Sequence, residues 1–413
     1  MSKLEKLIQQ YCPDGVEWKH LGDICNIKGR IGFRGYTRND QVKEGEGALS
    51  LSPSNIQDGQ MDYSKGTYIT WQKYEESPEI MTCNGDIVFC KTASVGKVAL
   101  VKDLPYKATI NPQLVVLKDV QCNSPFLAYV LGTDLVQNKV ISMAGVGSVP
   151  NISQKALSEI EIPVPPLPVQ EEIVRILDAF TELQAELQAE LQKRKQQYNF
   201  YRDNLLNFKD VNRRGQEIKW MKMSEICIKI SSGGTPSRGN SDYFNGDIPW
   251  LRTQEVNWND IYDTEIKITK EAINKSAAKL IPKNCVIIAM YGATAGKTCI
   301  NKIPLTTNQA CCNLQIDANA ASYKYVYYCV CNDYEKIKSL GQGSQHNINA
   351  QIIKDYIIPV PPLAEQNRIV SILDRFDTLT NDLTSGLPAE MEKRRQQYEF
   401  YRDKLLTFKR KEA

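Results

Sequence analysis

Basic and aromatic side chains interleaved with glycine are the part of this sequence best suited to chemistry, and that chemistry is contact with a polyanion. The run KGRIGFRGYTRND (28–40) carries Lys28, Arg30, Arg34 and Arg38 among Phe33, Tyr36 and three glycines. Arginines there can reach guanine edges or phosphates, and Asn39 can pair with adenine. The plainer alternative is a solvated loop. A second run, SSGGTPSRGNSDYFNG (231–246), offers Thr235, Ser237, Arg238 and Asn240, and Arg252 with Gln254 follows. These residues can mix phosphate and base contacts, the plainer alternative again being a loop with no such role. Gly96–Lys97 and Gly296–Lys297 form a pair of Gly-Lys turns, with Lys91 and Tyr291 just upstream. Gly147, Ser148 and Asn151 match Gly343, Ser344 and Asn347. Each set either approaches nucleic acid or closes a strand. Replacing Arg34 is expected to weaken binding.

Catalytic machinery is harder to find. GATAGKT (292–298) falls one residue short of a phosphate loop, because Tyr291 stands where GxxxxGK[ST] needs glycine. The other half has Val98 in place of the hydroxyl residue. TINPQL (109–114) faintly resembles an adenine-methyltransferase signature, but Gln113 replaces the second proline and no G-x-G loop accompanies it. The only histidines are His20 and His346, and none of the 12 cysteines is spaced C-x-x-C. Reduced thiols are therefore expected, and neither a metal centre nor a disulfide framework. The 413 residues are 42% hydrophobic and 24% charged, with a net charge of +3. That is an ordinary globular composition, long enough for two or three domains. No stretch of about 18 apolar residues is present, so no membrane span is expected. The sequence describes a reader rather than a catalyst.

The elements that must position these residues occur twice. IPVPPLPVQEEIVRILDAFTEL (162–183) returns as IPVPPLAEQNRIVSILDRFDTL (358–379) at an offset of 196, and KRKQQYNFYRDNLLNFK returns at an offset of 200. Each copy opens with an extended Pro-rich piece and continues with apolar residues at helical spacing. In the first copy these are Ile173, Ile176, Leu177, Phe180, Leu183, Leu187 and Leu191. The second has Ile369, Ile372, Leu373, Phe376, Leu379, Leu383 and Leu387. An unbroken first helix would be about 58 Å long, which suits a coiled-coil spacer. Gly386 and Pro388 predict a break in the second, with a restart at Pro388. Between the helices lie β-rich runs (DIVFC, QLVVL, VIIAM, CCNLQI) separated by Gly/Ser/Asn loops. The expected fold class is α+β, with two mixed globules separated by two long antiparallel helices in a pseudo-twofold, circularly permuted repeat. Its expected divisions are 1–160, 161–211, 212–357 and 358–413, with the two chain ends close together.

These marks resemble the DNA-specificity subunit of type I restriction–modification enzymes. The resemblance rests on IPVPPL with Gln170/Gln366, the ILD.F helices, the QQY.FYRD.LL.FK closures, the CPDGVEWK.LG.I start, and SGGTPS…GDIPWLR. It implies that each globule is a target-recognition domain reading one half of a split double-stranded DNA site. The helices would set the gap and dock two methyltransferase subunits, with restriction/translocase subunits joining the complex. The implied chain is non-catalytic and cytoplasmic. It would carry no cofactor, with S-adenosylmethionine, ATP and Mg on the partner subunits only. Tyr198, Phe200, Tyr201 and Tyr398, Phe400, Tyr401 are the expected methyltransferase-docking aromatics, packing between the long helices being the alternative. The family's repeated four-residue unit is visible as TELQ-AELQ-AELQ (181–192). A P-loop ATPase and a protein-binding coiled-coil adaptor are the competing classes.

Overall fold

The computed structural model describes residues 2–32, 35–145, 149–208, 218–341, 347–382 and 384–412. Contacts divide the chain into two compact units, cutting across the four expected segments. The first is Met1–Gln188 with Glu390–Ala413, and the second is Ala189–Ala389. Each unit therefore owns one globule, part of the helix that follows it and part of the other repeat's helix.

The four apolar runs noted in the sequence are strands at the centre of the two main sheets. In the first unit, an antiparallel sheet has the order Val98–Leu100, Ile87–Cys90, Leu114–Lys118, Asn26–Gly29. The second unit's larger sheet orders Cys227–Ser232, Cys311–Ile316, Val286–Ala289, Thr298–Asn301, Asp260–Ile261. These strands read as continuous apolar runs because both faces are covered. Val115 and Leu117 join one core with Ile87 and Phe89, whereas Leu114 and Val116 join another with Val88 and Cys90. The second unit repeats the division, Val286 and Ile288 on one side, Ile287 and Ala289 on the other. Beside each large sheet stands a further sheet containing a parallel pair. Leu49–Leu51 runs along Ala108–Ile110, and Trp250–Leu251 along Thr306–Thr307.

The cysteines serve mostly as small core residues. Cys90, Cys285, Cys299 and Cys311 fill the second core of each unit, and burial pushes the Cys285 thiol up to about 12.

The repeated segments have matching registers. Trp18 lies opposite Pro163 in the pair Glu17–His20/Glu161–Val164, as Trp220 lies opposite Pro359 in Lys219–Lys222/Ile357–Val360. Proline tolerates these positions because each strand belongs to a two-stranded pair and has a free edge. Gln170 and Gln366 then lock each Pro-rich piece to its globule. Gln170 Oε1 accepts from the Asn123 N–H at 2.9 Å and Nε2 donates to the Pro165 carbonyl at 2.6 Å. Gln366 does the same with Ser322 and Pro361, both at 2.8 Å. Both glutamines are buried, so each satisfies backbone groups that water cannot reach. Further along each helix, Tyr129 donates to Asp178 at 2.6 Å and Tyr328 to Asp374 at 2.7 Å.

The first long helix runs unbroken over Leu167–Leu206, with Pro168 confined to its first turn. Its counterpart is two helices, Leu363–Asn381 and Leu387–Leu405. Asp382 accepts from Thr384 and Ser385 in the break, and Pro388 sits in the restarted first turn, as the sequence predicts. Residues near the two chain ends meet inside the first unit. Val16 N–H donates to the Lys409 carbonyl and Lys411 N–H to the Val16 carbonyl, both at 2.9 Å.

Candidate nucleic-acid interface

The Gly-Lys turns are the first feature that both globules build identically. Gly96 N–H donates to Cys90 C=O at 3.0 Å, and Cys90 N–H to Lys97 C=O at 2.8 Å. Gly296 and Ala289 pair at 2.8 Å, and Ala289 and Lys297 at 2.9 Å. Both glycines are left-handed, at φ +97° and +84°, a conformation that a Cβ disfavours. In each case the chain runs strand, turn, strand. A phosphate loop needs strand, loop, helix, so GATAGKT is a hairpin and not a nucleotide site.

A second loop sits against each turn, and no motif in the sequence announces it. LSPSNIQDGQM (51–61) and LRTQEVNWNDI (251–261) correspond at an offset of 200. Ser52 N–H donates to Asn55 and Arg252 N–H to Glu255, closing single 3₁₀ turns at Pro53–Asn55 and Thr253–Glu255. Ile56 and Val256 then plug the core. Two residues later both chains turn left-handed on a non-glycine residue, Asp58 at φ +48° and Trp258 at φ +53°. Lys97 Nζ donates to the Ile56 carbonyl at 3.4 Å. Lys297 Nζ donates to Asn257 Oδ1 at 2.7 Å and lies 4.5 Å from the Trp258 ring centroid. The signal that could have found these loops is the constant spacing from Leu51/Leu251 to the 3₁₀ turn and the buried aliphatic.

Asn111 and Asn308 tie this loop to the sheet. Their N–H groups donate to Leu51 and Leu251 carbonyls at 2.8 and 2.9 Å, and their Oδ1 atoms accept from Gln113 and Ala310. TINPQL is therefore an Asx turn. Nearby, Thr92 donates to Asn151 at 2.7 Å, and Gly292 N–H points at Asn347 Oδ1 at 3.5 Å. Ile152 and Ile348 then bond back to the Lys91 and Met290 carbonyls. Lys97, Tyr291 and Asn151 are exposed on these turns, while Lys91, Lys297 and Asn347 are half-buried.

Two arginines singled out in the sequence are spent internally. Arg30 is buried, its Nε donating to the Ile110 carbonyl and its Nη2 to Thr109, with Tyr36 5.4 Å away under the guanidinium. Tyr36 accepts from Ser50 at 2.9 Å. Arg30 therefore closes the end of a sheet instead of reaching outward, and Tyr36 backs it. Arg252 is paired with both Glu255 and Glu265, which neutralise it. Lys28, Arg38 and Asn39 remain exposed, the latter two on a single 3₁₀ turn capped by Thr37. In the second globule Ser237, Arg238 and Gln254 are exposed, Thr235 bonds Gln309, and Asn240 caps Ser241–Phe244. Arg34, Ser148 and Ser344, with Gly147 and Gly343, lie outside the described residues.

The helix aromatics divide between two uses. In the second unit Tyr201 stacks on Phe376 at 5.4 Å and Tyr198 leans on it at 6.4 Å. In the first unit Tyr401 stacks on Phe180 at 5.6 Å, and Tyr398 packs against the core. Phe200 and Phe400 stay 65% and 62% exposed, each edge-on to the following tyrosine.

A sequence profile of the type I restriction modification DNA specificity domain matches residues 13–194 and 216–393. The chain belongs to the type I restriction–modification DNA-specificity family. Within it, the chain is 41% identical over 275 residues to the EcoR124I/EcoR124II specificity subunit of Escherichia coli. That match spans 64% of this chain and 66% of the relative, just under two thirds. It is 31% identical over 424 residues to S.HindORF215P of Haemophilus influenzae, which bears a type I specificity-subunit name, across 98% of both chains. A chain from a solved structure of the complex assembly and conformational transition of the type I R-M system shares the fold, with a TM-score of 0.63. That similarity covers 95% of this chain and 98% of the other at 18% identity. The family expected from the sequence and the α+β fold class are both borne out. Among the described residues no helix is long and apolar enough to cross a membrane.

Proposed function

We propose that the two globules read the two halves of one split duplex DNA site, and that the chain itself catalyses nothing. One observation carries this reading. Each globule presents the same pair of loops, a Gly-Lys turn and a left-handed loop, at the end of the same hairpin but with different side chains. A shared frame with different displayed residues is what reading two different half-sites on one polymer requires. Lys97 and Lys297 serve as phosphate contacts that set register. The exposed residues of the loops, with Lys28, Arg38, Asn39, Ser237 and Arg238, supply base and sugar contacts. Phe200 and Phe400, with the free faces of Tyr201 and Tyr401, dock two methyltransferase subunits. Restriction/translocase subunits complete the assembly. S-adenosylmethionine, ATP and Mg belong to those partners, and the complex works in the cytoplasm.

The test is co-expression with the cognate methyltransferase in a methylation-free host, followed by single-molecule mapping of modified bases. A split motif, two short half-sites around a fixed unread gap, is expected. A stable complex that modifies no motif would overturn the reading in favour of a protein-binding adaptor.

A further inference from the structure

The left-handed loop tip of the second globule carries a bulky residue poorly suited to it. Asp58 and its neighbour Gly59 tolerate φ above zero, whereas a bulky indole there is disfavoured. Core burial does not offset that cost, because Trp258 is 42% exposed. The backbone is pinned by the Trp258 N–H bond to the Thr298 carbonyl at 2.8 Å, so the side chain is held out by the hairpin beneath it.

The surroundings of that side chain alternate cation and ring. Lys297 lies over the indole, the Tyr334 ring meets it edge-on at 5.3 Å, and Lys338 lies 5.3 Å from the Tyr334 centroid. A Cβ on Gly296 would come within 3.1 Å of the Tyr334 ring, so glycine in the turn is what lets this cluster close. An exposed, rigidly supported ring flanked by ammonium groups matches duplex DNA, where cations meet phosphates and the ring edge enters a groove. The first globule has an aspartate at the equivalent tip and Gln137 against its glycine, so the cluster belongs to one half-site only.

We propose that Trp258, supported by Lys297 and Tyr334, is a specificity-determining DNA contact of the second globule. This rests on the reading that the globules bind DNA. The test uses the full chain in complex with its methyltransferase. The duplexes carry the mapped motif intact, or with one half-site or the other randomised. Trp258→Ala is expected to weaken binding to the intact duplex about tenfold. The deficit should persist when one half-site is randomised and vanish when the other is. Trp258→Phe keeps a ring against Tyr334 and Lys297, and should lose the part of the DNA-induced tryptophan-fluorescence change that Trp258 contributes in the wild-type complex, the other four tryptophans being unchanged.

Unchanged affinity in Trp258→Ala would overturn the proposal, as would a deficit equal on every duplex. If Trp258→Ala unfolds, Trp258→Phe decides instead: a fluorescence change equal to the wild type's overturns the proposal and a reduced one supports it. Weakened methyltransferase binding with DNA affinity intact would assign the ring to a protein contact and also overturn it. A wild-type complex that prefers no duplex would instead sink the half-site reading itself.

Discussion

In the first globule the left-handed loop ends on Asp58 and Gly59, and Lys97 reaches only a backbone carbonyl. In the second, the same loop ends on Trp258, and Lys297 lies between Asn257 and an indole. The backbone frame beneath is shared, down to the Asx turns at Asn111 and Asn308 and the paired strands below them. Around that frame the sheets differ in strand number and order, and at the loop tips the difference lies in the side chains displayed. Below the globules the order reverses, and side chains as well as backbone are kept: Gln170 with Gln366, Tyr129 with Tyr328, Phe180 with Phe376. Recognition is thus free to diverge because its support does not.

The largest expected effect breaks the shared support. Gln170→Ala and Gln366→Ala each leave a buried N–H and a buried carbonyl unpaired, and should each destabilise their own unit by about 2–4 kcal/mol in chemical denaturation. A large loss for one and none for the other would show that the two brackets are not equivalent. Next come the register lysines. Lys97→Ala should lower DNA affinity across all sequences and reduce the salt slope by about 1, leaving the motif letters unchanged, whereas Lys297→Ala also removes the cation over Trp258 and should in addition relax the second half-site. A changed letter in Lys97→Ala would move that lysine from phosphate to base.

A smaller effect separates the two tyrosine–aspartate pairs. Tyr129→Phe should cost about 1 kcal/mol, because Tyr129 is the bonded partner of Asp178. Tyr328→Phe should cost less, because Asp374 keeps Lys324. Equal costs measured by denaturation would contradict that ranking. The smallest concerns acid. Glu172, held by Lys3 and Arg175, has its carboxyl lowered from 4.5 to about 2, chiefly by the hydrogen bond from Arg175. A depressed carboxyl contributes stability above its unfolded value and loses it as pH falls through the folded one. The first unit should therefore lose about 1 kcal/mol between pH 4.5 and pH 2, the exposed partners limiting the effect. Glu172→Gln should remove that slope. The second unit has Arg368 at the repeat position and lacks this contribution, its own lowered carboxyl being Asp382 in the helix break.

Much of this was legible in the sequence. The long helices, the break before Pro388 and the strands such as VIIAM follow from apolar period and from proline and glycine placement. The pairing of Gly96–Lys97 with Gly296–Lys297 followed from the repeat. The loops 51–61 and 251–261 were not recognised, because apart from the leucine and a buried aliphatic they share hydrogen-bond roles, not residues: Asn55 does the work of Glu255. Arg30 looked like a DNA contact because a run of arginines and glycines cannot show that one of them faces Thr109 and Ile110 at a sheet end. Arg252 is a similar case, since its pairing with Glu265 depends on a fold contact that sequence spacing does not show. Nor could helical period alone show that each long helix is shared between two contact units.

The central claim is that two separate readers are held at a fixed spacing. The first helix is unbroken through its tetrads, so removing Ala185–Gln188 shortens it by roughly 6 Å and rotates it about 40°, close to the rotation of one base-pair step. Modified-base maps of the wild-type and deleted chains, each with the methyltransferase, test this most directly. The account predicts both half-sites retained, letter for letter, with the unread gap shorter by about one or two base pairs. Altered half-site letters, or an unchanged gap, would contradict it.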